Sequence, residues 1–63
     1  MSYSTHVASM LADAALTAWI EGGEEYAIRT IEHGIEEHAR TMGEAWIIRD
    51  KAMVAYRDMQ SRH

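Results

Sequence analysis

Gly22-Gly23 is the clearest interruption in a chain that otherwise holds little to stop a helix. Its 63 residues contain no proline, and no run alternates with a period of two. Apolar side chains instead recur three and four positions apart, the spacing of one helical face. Glycine reaches the left-handed backbone that ends a helix at low steric cost, so the pair separates two helices. The sequence therefore predicts an all-α fold and a single small domain over residues 1–63. The first helix spans about residues 5–21 with Ser4 as its N-cap, and the second runs from Glu24 to about residue 41. A last helical stretch covers about residues 44–60.

Whether those last two form one helix or two turns on Gly43. Thr41-Met42-Gly43-Glu44 has the spacing of a capping box, in which Thr41 starts a new helix and Glu44 reaches back to it. Against a break, the stripe Ile28, Ile31, Ile35, Ala39 and Met42 continues in phase through Trp46 and Met53, and a glycine inside a helix costs only about 1 kcal/mol. The balance favours a kink or break at Gly43, so the unit is a helical hairpin or a three-helix unit.

The apolar residues exceed what a hairpin can hide. Hydrophobic residues make up 48% of the chain, while a domain this small buries only about 60% of its unfolded surface. On helix 1, Val7, Met10, Leu11, Ala14 and Ala18 form one face, and Ala12, Leu16, Trp19 and Ile20 occupy much of the rest. In the last helix, Trp46 and Met53 extend the helix 2 stripe and so read as core. Ile47 with Val54, and Ile48 with Ala52 and Ala55, point elsewhere. Dimerisation or insertion into a partner is the expected way to cover these faces, with Trp19, Ile47 and Val54 as apolar interface residues.

Charge is unevenly spread. Residues 1–48 carry a net −6 and residues 49–63 a net +2, within a total of −4. Glu24, Glu25, Glu32, Glu36, Glu37 and Glu44 line the start and solvent side of helix 2, a surface that attracts basic partners and repels nucleic acid. Arg49, Lys51, Arg57 and Arg62 supply the positive end, the alternative contact for RNA or DNA.

Other chemistries find little support. With no cysteine there is no thiol nucleophile or disulfide, and any metal would need His and carboxylate ligands. His33 and His38 are five apart and diverge by about 140° on a helix, so they do not share an ion. His33 with Glu37 is at most a two-ligand fragment. No nucleophile elbow or phosphate loop is present, and the expectation is a non-enzyme without metal or cofactor. The N-terminus carries no basic leader and no stretch spans a membrane, which implies a cytoplasmic protein.

In length and helical-hairpin form the chain resembles the Rop family of plasmid RNA-binding hairpin dimers. The likeness lies in size and architecture, with no shared residue pattern, and it assigns no residue a role. It implies the second of two functional expectations, a self-assembling bundle whose basic tails contact RNA or DNA. The first is a small acidic inhibitor or regulator, of the kind phages and other mobile elements encode. Such a protein, of anti-CRISPR or other anti-defence type, would bind a basic, nucleic-acid-handling protein.

Overall fold

The computed structural model describes residues 2–63, and these form three α-helices: α1 (Tyr3–Gly22), α2 (Glu24–His38) and α3 (Met42–Arg62). Among the described residues there is no strand, and no helix is long and apolar enough to cross a membrane. The chain is thus a three-helix unit rather than a hairpin.

Local chemistry sets each boundary. Ser2, not Ser4, caps α1: its hydroxyl accepts the Thr5 N–H at 3.1 Å, which satisfies a first-turn donor and draws Ser4 into the helix. Gly23 then ends α1 and starts α2 at once. Its φ of 89° and ψ of −176° lie in a region reached essentially by glycine alone, and its N–H bonds the Trp19 carbonyl at 2.8 Å.

The second break falls at Ala39–Thr41, ahead of Gly43. Thr41 is the N-cap of α3, its hydroxyl accepting the Glu44 N–H at 3.1 Å. Glu44 does reach back, but to the Arg40 N–H at 2.8 Å, one residue before the cap, while also holding the Arg40 guanidinium. α2 accordingly stops at His38 instead of residue 41, and α3 starts at Met42 instead of 44 and runs on to Arg62. Gly43 sits in the first turn of α3 with open space where a Cβ would lie. Gly43→Ala should therefore stabilise the fold by about 0.5–1 kcal/mol, read as a raised denaturation midpoint.

α1 is the central helix, packed against both α2 and α3, which touch each other less. Tyr3 donates to the His38 carbonyl at 2.9 Å, so α2 returns antiparallel to α1. Lys51 meets Thr5 and the Trp19 ring meets His63 edge-on, so α3 runs in the same sense as α1. The buried arc of α1 is Val7, Ala8, Leu11, Ala12, Ala15 and Ala18. Ala14 and Met10, expected on its main face, are exposed instead. The many alanines on α1, with Ala27 of α2 and Ala52 of α3, let backbones approach closely.

The core closes with Ile31 from α2 and with Ile48, Ala52 and Tyr56 from α3. Trp46 is therefore not core: it is 67% exposed, and Met42 is 79% exposed. The reason is the break at Ala39–Thr41, which lets α3 rotate independently of α2, so a stripe extrapolated across it loses its phase. The accessible surface of 4176 Å² matches the roughly 4100 Å² expected of a folded monomer of this mass. Much of the apolar surface that a hairpin would leave open is covered by the third helix.

Candidate functional site

Most of the acidic side chains are engaged within the chain. Glu24, at the start of α2, is clasped by α3: the Tyr56 hydroxyl donates to its Oε1 at 2.8 Å and Arg57 to its Oε2 at 2.8 Å. Gln60 donates to the same hydroxyl at 3.3 Å and accepts from Arg57 at 3.0 Å. Glu32 reaches Arg49 at 3.4 Å, again across α2 and α3. Glu25 pairs with Arg29, Glu44 with Arg40, and Glu37 with His33, each one turn apart. Glu36 has no ion pair among the described residues.

The basic end is occupied in the same way. Arg49 and Arg57 hold the two acids just named, Arg62 pairs with Asp58 at 2.6 Å, and Lys51 donates to the Thr5 hydroxyl at 2.9 Å. Among the described residues all five arginines are in ion pairs, whereas Asp13, Glu21, Glu36 and Asp50 are in none. Two pairs thus join the surfaces of opposite charge, Glu24–Arg57 and Glu32–Arg49, and the other four pairs are local.

The clasp has a pH signature. Hydrogen bonds from Arg57 and Tyr56 hold the Glu24 carboxyl below its ordinary value of 4.5, and those from Arg40 do the same for Glu44. Burial, reinforced by the Glu24 carboxylate, pushes the Tyr56 hydroxyl up to about 12 from 10.0. A lowered carboxyl stabilises the fold above its unfolded value and ceases to do so as pH falls through the folded one. The raised phenol works the other way, its contribution whole below pH 10 and lost as pH climbs to about 12. The thermal midpoint should decline at both extremes. Tyr56→Phe should flatten the alkaline decline, and Glu24→Gln should reduce the acid one.

The apolar residues form the more distinctive surface. Ile48, Ala52 and Tyr56 face the core, and the opposite side of α3 presents Trp46, Ile47 and Val54 at 67%, 49% and 65% exposure. Two shallow grooves flank this ridge. One, against α1, is lined by Thr5, Ala8 and Ser9 and by Asp50, Lys51, Val54, Ala55 and Asp58 of α3. The other is lined by Trp46, Arg49, Asp50 and Met53. Asp50 lines both. Of the predicted interface residues, Ile47 and Val54 share this face, while Trp19 is half-buried against the core with its ring edge-on to His63 at 5.8 Å.

Trp46 is the surface residue that the sequence reading assigned elsewhere. The signal that bears on it is the Thr41 cap: a new helix starting there breaks the stripe that placed Trp46 in the core, and packing against α1 then sets Ile48, Ala52 and Tyr56 as the inward row. Among the described residues no three His, Asp or Glu side chains gather where a metal could bind. His33 and Glu37 remain an exposed pair at 3.0 Å. Comparison with protein-family models, curated proteins and solved structures finds no match.

Proposed function

We propose that this chain is a non-enzymatic helical interaction module, an inhibitor or regulator that docks the outer face of α3 onto another protein. The observation that carries the reading is the exposed ridge of Trp46, Ile47 and Val54 on a helix whose other side already fills the core. Large apolar side chains left mostly exposed on the outside of a helix contribute less to folding than its buried row, and tryptophan is among the side chains enriched in binding hot spots.

The net charge of −4 supports the choice of partner by long-range attraction to a basic surface, with three of the four acids that lack ion pairs, Asp13, Glu21 and Glu36, lying on α1 and α2 beside the docking face rather than on it. A nucleic-acid-handling protein presents such a surface, and occupying it is how an anti-defence inhibitor of a mobile element would act. The alternative, a bundle gripping RNA or DNA through Arg49, Lys51, Arg57 and Arg62, is opposed by the net charge of −4 and by the pairs that tie Arg49 and Arg57 to glutamates of α2.

Affinity capture from a lysate of the native host, with and without nuclease, tests the proposal. A stoichiometric basic protein should survive nuclease, and Trp46→Ala should weaken its capture about 10- to 30-fold. Replacing Glu36 with Gln should change it far less. Partners lost on nuclease treatment, or capture indifferent to Trp46, would sink the proposal.

A further inference from the structure

We infer that two copies of this chain exchange their α3 helices, forming a dimer in which α2 and α3 of each copy straighten into one continuous helix. Three pairs of inward-facing residues carry this. Ala27 and Ile48, Ile31 and Ala52, and Ile35 and Tyr56 are each 21 positions apart, with one member on α2 and the other on α3. Twenty-one residues are three heptads, so along a single supercoiled helix the two members of each pair point to the same side. The break at Ala39–Thr41 discards the 3.6-residue stripe but leaves this heptad register intact. Two helices that turn independently about a break do not need it.

An exchanged dimer does need it. Each α3 packs there on α1 and α2 of the other copy through the contacts it makes in the monomer, and the two long helices lie antiparallel with both α1 helices along one side. A straight helix serves both halves only if α2 and α3 turn their buried rows to that side. The break itself opens without strain: Ala39, Arg40 and Thr41 include no glycine or proline and none has a positive φ, in contrast to Gly23. The Arg40–Glu44 pair, four residues apart, persists along a continuous helix. Opening gives up the Thr41 cap and the Tyr3 bond to the His38 carbonyl. It covers Met42 and Trp46 in return. Met42 falls one heptad after Ile35, and Trp46 falls two heptads after Glu32, whose carboxylate reaches Arg49 of α3, so both turn toward the other long helix near the two-fold axis. Exchange therefore withdraws Trp46 from the docking ridge and competes with the binding of another protein.

The full chain, refolded from urea at millimolar concentration, should contain a dimer by light scattering, with more monomer as the refolding concentration falls. Met42→Pro places proline in the first turn of α3, where the monomer accepts it, but inside a continuous helix it removes a hydrogen bond and clashes with the preceding turn. It should raise the dimer dissociation constant at least about 100-fold and leave the monomer folded. Thr41→Ala removes the cap that only the monomer uses and should lower that constant at least about tenfold. Mixing identifies the exchange itself. Glu24→Arg and Arg57→Glu each set like charges against one another across α2 and α3, in monomer and homodimer alike. Refolded together, they should form mixed dimers in which both junctions regain an acid and a base, with a thermal midpoint above that of either variant alone. If a variant does not fold alone, the same rescue is read as helicity gained on mixing.

A monomer at every refolding concentration, or a mixture no more stable than its components, would overturn the exchange. So would a dimer that Met42→Pro leaves intact, since its copies would then associate without a continuous helix. None of these results touches the docking reading, which stands or falls separately on the effect of Trp46→Ala on capture from the host lysate.

Discussion

Tyr56→Ala should leave the protein largely unfolded. Tyr56 is the largest fully buried side chain, and it belongs to the core cluster that α1, α2 and α3 share. Truncating a buried aromatic costs about 3–5 kcal/mol in transfer and cavity terms. A domain of this length commands only roughly 3–9 kcal/mol in total, so the loss removes much or all of the margin. The same change also takes the hydroxyl from Glu24 and Gln60. Tyr56→Phe separates the two effects, since it keeps the ring and should cost about 1 kcal/mol. Urea titrations followed by circular dichroism at 222 nm read both. A Tyr56→Ala protein that retains a cooperative transition near the wild-type midpoint would show that the ring is not the keystone of this core.

Gly34→Ala should destabilise the fold, although alanine is the better helix former. In an isolated helix the change would gain about 1 kcal/mol. Here Leu11 of α1 sits directly over the glycine: an added Cβ would lie 2.9 Å from Leu11 Cδ1 and 3.0 Å from its Cγ, and closer still to Cδ2. Leu11 is itself buried among Val7, Ala8 and Ile31, so it has little room to yield. Overpacking of this kind costs about 1–3 kcal/mol, and we expect it to outweigh the helix gain. A double-mutant cycle isolates the clash. In a Leu11→Ala background the methyl finds space, and Gly34→Ala should become neutral or stabilising. Additive effects of the two changes would show that α1 and α2 do not meet at this point.

These two positions also mark how far the site and fold could be read from the sequence. The Gly22-Gly23 break, the acidic start of α2 and the Thr41 cap depend on groups within four residues of one another, and such signals are legible in a linear pattern. Gly34 looked like an ordinary helical residue, because the leucine that demands it is 23 positions away. Two of the six glutamates looked like part of a free acidic face for the same reason. Glu24 meets Tyr56 and Arg57 over separations of 32 and 33 residues, and Glu32 meets Arg49 across 17.

Trp46 shows the same limit at the functional surface. Its three-and-four spacing from the helix 2 stripe holds only if the backbone stays helical from Ile35 through Trp46, and the three residues after His38 remove that continuity. From its sequence alone this protein was bound to be all-helical, punctuated at Gly22-Gly23 and near Thr41 and rich in apolar side chains, since helix propensity and capping act over one turn. Which side of α3 turned inward was decided in three dimensions. The small side chains of α1 accept Ile48, Ala52 and Tyr56 at close approach, and the rotation that buries those three leaves Trp46, Ile47 and Val54 outside.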